Sequence, residues 1–380
     1  MRVLVSGAGI GGCTVSHWLA KRGCEVVVID READIGRQGY SLNVIGQSME
    51  VLRRMGRLDQ VVAGLRSIRY SNLMTMRGRA LRKDDISEFN SPTGIGIYVE
   101  RSVLHQALID SLAGVELRWG TSLAAIDNHG DGCNVEFHNG KTEHYDVLIA
   151  ADGVRSQTRQ MQFGPHGLHE TSVAFAVLRT ENSYSLPQEA FNLYGPDAFC
   201  GLTGLSPEHI SALFFWHEEG AIPPPSERLE ALRARYSDFG FRVGDILATL
   251  PRDTRIFSDR MVLVDLPLWH KDRIVLLGDA AYCTSPVSTQ GASLAMIGAY
   301  VLADELTKAQ MPNAAMEAYE RRMRPGINRI QENARRQIEW LLPKTARSAQ
   351  LRSLLLKLMP SSWIRHMTQQ QFTQPVVSTL

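Results

Sequence analysis

The N-terminal stretch "RVLVSGAGIGG", residues 2–12, decides the fold. Its first five residues form an apolar, β-branched run that favours a buried parallel strand. A G-x-G-x-x-G pattern follows and leads into a helical stretch, after which a second apolar run, "CEVVVID", ends at Asp30. We therefore predict a strand, a glycine turn, a helix and a second strand with a carboxylate at its tip.

This order of elements is typical of a dinucleotide site. Gly7 permits a tight turn, Gly9 lets the backbone approach a pyrophosphate, and Gly12 lets the helix pack closely on the sheet. The helix N-terminus then directs its free N–H groups at the phosphates. Asp30 can accept hydrogen bonds from a ribose diol, which favours FAD or NAD over NADP in this position.

Two further segments place a carboxylate just after a β-branched strand. They are "DVLIAADGVRSQTR" with Asp152 and "RIVLLGDAA" with Asp279. Ligands of open α/β sheets lie at the carboxyl ends of the strands. A second glycine-aspartate strand end so far from the first is unnecessary for NAD, but an extended FAD needs separate sites for its adenine and flavin halves. The sequence therefore predicts FAD.

The loop after Asp279 leads into another glycine-containing helix entrance. Pro286 stiffens this loop, and the dipole of the next helix favours negative charge at its N-terminus. The residues that open the helix are Gln290, Gly291, Ala292 and Ser293.

Composition limits the other classes of function. The chain has 380 residues, 44% of them hydrophobic, with 41 basic and 40 acidic residues, so neither nucleic acid nor a membrane is expected as the main partner. The five cysteines are scattered without a C-x-x-C pair, which favours reduced thiols over a disulfide framework or a metal site. No signal peptide or membrane span is evident, so we expect a cytoplasmic protein.

The pattern of elements predicts an α/β fold. A Rossmann-like FAD-binding domain is expected to carry an inserted, mostly antiparallel β substrate domain and a C-terminal helical segment. The expected bounds are 1–70, 97–165 and 256–310 for the FAD-binding domain, 71–96 and 166–255 for the substrate domain, and 311–380 for the helical segment and tail.

The C-terminal region carries three expectations of its own. Pro325 should kink or divide a long basic helix. The apolar segment 351–359 is interpreted as a packing helix in preference to a membrane-surface helix. The last dozen residues are polar, and we expect them to be loosely held.

The segments "GAGIGG", "RSVLHQAL", "DGVRSQTR" and "GDAAYCTSPVSTQGASLA" resemble the single-component FAD-dependent aromatic hydroxylases, which have the para-hydroxybenzoate hydroxylase fold. The resemblance covers roughly residues 1–340 and is strongest to the branch similar to tetracycline-inactivating monooxygenases. It implies a monomer or homodimer in which NADPH or NADH transiently reduces FAD. It also implies that O2 then forms a flavin C4a-hydroperoxide, which hydroxylates an aromatic or polyketide-like small molecule.

The resemblance also implies which residues bind the cofactor. Asp30 and Arg31 belong to the adenosine end, Arg101 and Asp279 to the ribityl and phosphate region, and the amides near Gly291 to the flavin edge. The full expected set is Gly7, Gly9, Ile10, Gly11, Gly12, Asp30, Arg31, Arg37, Asn43, Arg101, Asp152, Gly153, Gly278, Asp279, Pro286, Gln290, Gly291, Ala292 and Ser293.

Three positions depart from the family's pattern. Thr289 stands where the family usually has the first glycine of Gly-Gln-Gly, and Ser293 stands where it usually has asparagine. The next helix has Ile297 and Gly298 where an acidic residue is usual. Because Ser293 still offers a side-chain hydrogen bond, we expect flavin binding to be retained.

No catalytic acid or base is assigned, because the oxidation chemistry of this family belongs to the cofactor. His217 is a weak candidate for deprotonating a phenol, since a histidine at the end of an aromatic strand is more often structural. Alternating aromatic residues either line a substrate cavity or form plain core. They are Phe191, Tyr194, Phe199, Phe214 and Trp216.

Other functions remain open at this stage. A flavin-dependent reductase or dehydrogenase shares the first and third motifs, and a non-catalytic flavin- or ligand-binding protein is compatible with the altered "STQGAS" loop. A halogenase is disfavoured because no two tryptophans lie two residues apart. For the substrate, a multi-ring polyketide or antibiotic is favoured, with a simple phenol or a heteroaromatic acid as alternatives.

Overall fold

The computed structural model describes residues 1–34 and 41–380. In these residues the strands are β1 Arg2–Ser6, β2 Glu25–Ile29, β3 Ser41–Ile45, β4 Tyr70–Thr75, β5 Ala80–Asp85, β6 Gly96–Glu100, β7 Glu116–Arg118, β8 Leu123–Asn128, β9 Cys133–Phe137, β10 Thr142–Tyr145, β11 Val147–Ala150, β12 Leu168–Glu181, β13 Ala190–Tyr194, β14 Ala198–Gly204, β15 His209–His217, β16 Phe257–Val264, β17 His270–Lys271 and β18 Ile274–Leu276.

The helices in the same residues are α1 Ile10–Lys21, α2 Gln47–Arg54, α3 Leu58–Val62, α4 Arg101–Ile109, α5 Gln157–Phe163, α6 Arg228–Tyr236, α7 Val243–Thr249, α8 Asp279–Tyr282, α9 Gly291–Lys308, α10 Pro312–Leu341, α11 Ala346–Leu358 and α12 Ser361–Thr373.

The main sheet has the order β17-β18-β11-β1-β2-β7 in the described part of the chain. β1 runs parallel to β2 and β11, and β11 runs parallel to β18. Alternate residues of β1 serve two layers, because Val3 and Val5 belong to a core with α1 and α9, whereas Leu4 belongs to a core with Val135 and Phe137 of β9. With both faces covered, the strands read as near-continuous apolar runs. The predicted Rossmann-like arrangement is confirmed.

The second sheet has the order β16-β12-β15-β14-β13-β4-β5 and is antiparallel except where β13 pairs with β4. Helices α6 and α7 cover one of its faces and complete a separate apolar core. β16 pairs with β12 along residues 257–264, a segment that the expected boundary at 256 assigns to the FAD-binding domain. The domain bounds stay a prediction, with β16 running between the two regions.

The C-terminal region bears on two of the sequence expectations, those for Pro325 and for the tail. α10 is a single helix from Pro312 to Leu341, so Pro325 does not divide it. The tail is docked and not loosely held, because the Gln47 side chain bonds the backbone N–H of Val376 and the carbonyl of Val377, each at 2.8 Å. Val377 is also only 3% exposed. No helix among the described residues has the length and apolarity required to cross a membrane.

Replacing Gly12 should test the packing of α1 on the sheet. A Cβ built on Gly12 would lie 1.8 Å from the Gly7 carbonyl oxygen, so α1 must shift to accommodate any side chain. We expect Gly12→Ala to lower the free energy of unfolding by at least about 2 kcal/mol, as overpacking of this kind does. Chemical denaturation measures the effect, with Gly130→Ala as control because a Cβ there meets nothing within 4 Å. An unchanged denaturation midpoint for Gly12→Ala would contradict the packing described.

Candidate functional site

The candidate site lies along the edge of the main sheet where its parallel strands end. β1, β2, β11 and β18 stop at this edge, and the three predicted segments follow them directly. The segments also touch one another, since a Cβ on Gly7 would lie 2.4 Å from Ala151 O and one on Gly11 would lie 3.5 Å from the Ala295 Cβ in α9. Tertiary structure therefore brings together segments that are far apart in sequence.

Asp30 supports the glycine turn from the tip of β2. Its Oδ2 accepts the Ala8 N–H at 2.8 Å, and its Oδ1 accepts the Glu32 N–H at 2.9 Å. A carboxylate oxygen can accept more than one hydrogen bond, so both remain available to a ribose. Arg31 is exposed, and its side chain lies 3.5 Å from Glu32.

His105 lies within the "RSVLHQAL" motif, and the motif alone did not indicate a role for it. Its Nε2 donates to the Ala8 carbonyl at 2.6 Å, which ties α4 to the glycine turn. Burial lowers the pKa of this imidazole, and the nearby positive charge of Arg101 lowers it further. A neutral imidazole with its proton on Nε2 is the form that makes this hydrogen bond.

The loop that carries Asp152 lies beside the glycine turn, and hydrogen bonds within the loop stabilise it. Asp152 Oδ2 accepts from the backbone N–H and the hydroxyl of Thr158, at 3.1 and 3.0 Å. Its Oδ1 is buried and has no hydrogen-bond partner among the described residues. Arg159 is 1% exposed and donates to Ala280 O and Val154 O, so it links this loop to α8. That link was not anticipated from the sequence.

Asp279 opens onto the space in front of the strand ends. The protein around its other sides removes water and raises the pKa of the carboxyl, while the positive charge of Arg101 opposes the rise. Gly278, which precedes it, has φ +66°, and a Cβ on Gly291 would lie 3.7 Å from Asp279 Oδ1. Arg101, Asp279 and Gly291 therefore lie near one another at one end of the site.

The loop from Ser285 to Gln290 stores backbone strain. Ser285 has φ +68° and Thr289 has φ +56°, a region that residues with side chains enter at some energetic cost. Thr289 stands where the family usually has glycine, and it adopts the left-handed conformation that suits glycine. The substitution therefore retains the backbone shape of the loop. Pro286 in this loop is exposed, whereas Gln290 is 6% exposed.

The Ser293 hydroxyl is directed toward the protein. It accepts the Ile45 N–H at 3.1 Å and lies 3.0 Å from the Ser48 hydroxyl, and Ser293 is 2% exposed. This arrangement ties the start of α9 to β3, the strand that carries Asn43. The side chain thus orients the helix entrance, and only the backbone of Ser293 is left to face a cofactor. Arg37 lies outside the described residues.

The described residues fit an extended dinucleotide. A Cβ on Gly9 would meet nothing within 4 Å among them, so the backbone beside the α1 N-terminus borders open space. Gly153, with φ +81°, borders open space in the same way. The buried, unpartnered Asp152 Oδ1 is a second feature that a ligand would satisfy. Polar groups and free space coincide where FAD is expected.

A cavity of about 1050 Å³ adjoins the flavin end of the site. Asn43 and Ile45 of β3 line its inner part. Its other walls come from β6, from the second sheet and from α10 to α12, and they include Ser71, Tyr98, Tyr194, Thr203, Arg336, Gln337, Trp340 and Phe372. Burial raises the pKa of the Tyr98 phenol, which keeps it neutral and able to donate a hydrogen bond.

Of the five aromatic residues considered from the sequence, Tyr194 lines this cavity. Phe191, Phe214 and Trp216 point to the opposite face, into the core with α6 and α7. Phe199 packs on Phe215 with ring centroids 5.6 Å apart. His217 Nδ1 is paired with Asp197, and the residue is not part of the cavity lining that the structure describes. This placement favours the structural interpretation of His217.

Comparison with known proteins agrees with this geometry. The family model described as "FAD binding domain" matches residues 1–334. A flavin-dependent monooxygenase of Legionella longbeachae is 30% identical over 315 residues, which is 81% of each chain. The crystal structure of the tetracycline destructase Tet(55) has a TM-score of 0.83 and 26% identity, covering 99% of this chain and 98% of that one.

A further solved structure, Klebsiella pneumoniae HpxO with FAD and uric acid, has a TM-score of 0.86 and shares the fold at 20% identity, covering 99% of this chain and 98% of that one. The resemblance identified from the sequence motifs and the expected FAD cofactor are both confirmed. The chain belongs to the FAD binding domain family and is a flavin-dependent monooxygenase, an enzyme that uses FAD and O2 to oxidise a small molecule.

Proposed function

We propose that this monooxygenase holds FAD extended along the carboxyl edge of the main sheet and hydroxylates an aromatic or polyketide-type molecule in the adjoining cavity. The observation that carries the proposal is the convergence of three strand-end segments beside a cavity of about 1050 Å³. FAD, reduced transiently by NADPH or NADH, supplies the oxygen-activating chemistry when bound. The residues of this chain bind and orient the FAD and the substrate.

The adenosine and pyrophosphate end is proposed to lie at the glycine turn. Asp30 accepts the ribose hydroxyls through its remaining lone pairs, and Arg31 stands beside the adenine. The N–H groups of Ile10 and Gly11, in the first turn of α1, have no partner within the helix and face the phosphates. The open space beside Gly9 supports this assignment.

The ribityl and flavin end is proposed to lie between Arg101, Asp279 and the start of α9. Asp279 accepts a ribityl hydroxyl, and Arg101 balances the charge of this carboxylate and the phosphates. The amides of Gly291 and Ala292 and the helix dipole stabilise negative charge on the flavin edge, in the manner of an oxyanion hole. Asn43 lies where the flavin end meets the cavity.

A multi-ring substrate is proposed from the size of the cavity. Small-molecule sites commonly enclose about 300–1,000 Å³, so this cavity of about 1050 Å³ lies slightly above that range. Tyr98, Tyr194 and Trp340 give it aromatic walls, and Thr203 and Gln337 give it hydrogen-bonding groups. The structural neighbours include the tetracycline destructase Tet(55), which supports the same substrate class.

Replacing Gly9 should remove FAD and leave the fold intact. Gly9 has φ −73° and ψ −172°, which any residue can adopt, and a Cβ there meets nothing within 4 Å. A valine would fill the space proposed for the pyrophosphate. We expect Gly9→Val to weaken FAD binding on the order of a hundredfold, as for loss of two hydrogen bonds to a charged group of about 1.5 kcal/mol each. Titration of the apoprotein with FAD measures this. Gly130→Val is the control, and equal affinity in both variants would refute the pyrophosphate site.

Asp279 should make the FAD-free protein less stable at neutral pH. A carboxyl whose folded pKa is raised above its unfolded value of about 3.9 destabilises the fold as the pH rises through the folded pKa. Below the unfolded value both states are protonated and the penalty is absent. Because the Asp279 side chain is exposed toward the site, water offsets much of this penalty, so Asp279→Asn should raise the melting temperature of the apoprotein slightly at pH 7 and leave it unchanged near pH 3. A lower melting temperature at pH 7 than wild type contradicts this, and Asp131→Asn in an exposed loop is the control.

Turnover should require an aromatic ligand. We expect the FAD-loaded protein to oxidise NADPH or NADH faster when a multi-ring phenolic polyketide is added than with a simple phenol or uric acid, and the product to gain one oxygen atom by mass spectrometry. Substrate reduction or desaturation without oxygen gain would instead identify the reductase or dehydrogenase. A protein that binds FAD but never turns over any of these ligands would support the non-catalytic alternative.

A further inference from the structure

The outer face of α11 carries an apolar stripe that no other part of the described chain covers. Leu351, Leu354, Leu355 and Leu358 recur at i, i+3, i+4 and i+7, so they share one side of the helix. They are 58%, 51%, 40% and 68% exposed. Leu356 on the other side is 7% exposed and lines the cavity. The segment interpreted as a packing helix therefore packs with one face and presents a second apolar face to solvent.

The following helix, α12, adds two exposed apolar side chains. Trp363 and Met367 are 52% and 49% exposed, and both line the cavity, so they stand at its mouth. Single exposed apolar side chains are ordinary, whereas a group on adjoining helices marks an interaction site. We call this group the C-terminal apolar surface. It consists of Leu351, Leu354, Leu355, Leu358, Trp363 and Met367.

The charges that the C-terminal helices contribute to this surface are all positive. Two acidic residues of the adjoining cavity wall, Asp84 and Asp85, are each paired with an arginine. After Glu339 the sequence contains five Lys or Arg residues and no Asp or Glu, although the whole chain has a net charge of only +1. Arg352 is buried, and its guanidinium donates to the carbonyls of Leu341 and Gly195. The exposed cations are Lys344, Arg347, Lys357 and Arg365.

We propose that the C-terminal apolar surface docks onto an anionic lipid bilayer. Leucine side chains and a tryptophan on one helical surface suit the boundary between headgroups and acyl chains, and the surrounding cations suit anionic headgroups. A second copy of this chain is a poorer occupant, because it would bring two sets of unopposed cations together. Since no described helix is long and apolar enough to span a membrane, this docking is peripheral.

Docking would also turn the cavity mouth toward the bilayer. Trp363 and Met367 belong both to the C-terminal apolar surface and to the cavity wall. An apolar substrate dissolved in the membrane would then reach the cavity without crossing bulk water. This consequence rests on the proposed function, but the docking itself does not, and the test below uses no turnover.

The test is sedimentation of the full FAD-loaded chain with vesicles of phosphatidylcholine, with and without phosphatidylserine. We expect binding only when phosphatidylserine is present, and weaker binding as salt is raised. Leu354→Gln combined with Leu358→Gln should reduce binding at least about tenfold. Replacing all four exposed cations by glutamine should reduce it at least about a hundredfold, from about fivefold per cation.

The matched control is Leu268→Gln combined with Met311→Gln, because these side chains are 55% and 60% exposed outside α11 and α12. This variant should bind vesicles like wild type, and FAD absorption should show that every variant is folded. Equal binding of wild type and both test variants would overturn the proposal. Absence of vesicle binding by the wild-type protein would overturn it as well. If light scattering then showed a dimer, and Leu354→Gln combined with Leu358→Gln abolished that dimer, the occupant would be a second copy of this chain.

Discussion

The close approach of α1 to the turn that precedes it is the constraint on which the rest of the site depends. A Cβ on Gly12 would lie 1.8 Å from the Gly7 carbonyl oxygen, so helix and turn are in direct backbone contact. With α1 held this close to the turn, the Ala8 carbonyl accepts the hydrogen bond from His105, and Gly11 packs against Ala295 of α9. The packing of α1 on the glycine turn therefore also positions α9, whose N-terminus lies at the flavin end.

A second constraint joins the second sheet to the antiparallel pair of strands β3 and β6. Glu100, at the end of β6, is 7% exposed and pairs with Arg66 and with Arg179 of β12, the latter at 3.1 Å. A buried carboxylate needs such partners because isolated charge is costly to bury. Arg101 follows Glu100 directly, so the end of β6, which the Arg179 pair ties to the second sheet, also brings Arg101 near Asp279. The substrate cavity and the cofactor edge are positioned by the same segment.

The predictions from sequence were accurate where the position of a residue depends on the strand or turn that contains it. The strand ends before Gly7, Asp152 and Asp279 lie as predicted at one edge of the main sheet, because parallel strands share the direction in which their carboxyl ends point. They were less accurate for the aromatic strands. Side chains along a strand alternate between its two faces. This alternation does not reveal that the face with Phe191 packs against helices, whereas the face with Tyr194 lines a cavity.

Glycine spacing and β-branched runs act through local steric rules, so they were enough to predict the FAD-binding fold, the order of its elements and the family. Three features could be read only from the folded chain: the direction of the Ser293 hydroxyl, the hydrogen bonds from Gln47 to the tail, and the outward-facing leucines of α11. Each of these depends on what packs against a given face. That property arises from segments far apart in the chain, and no local pattern encodes it.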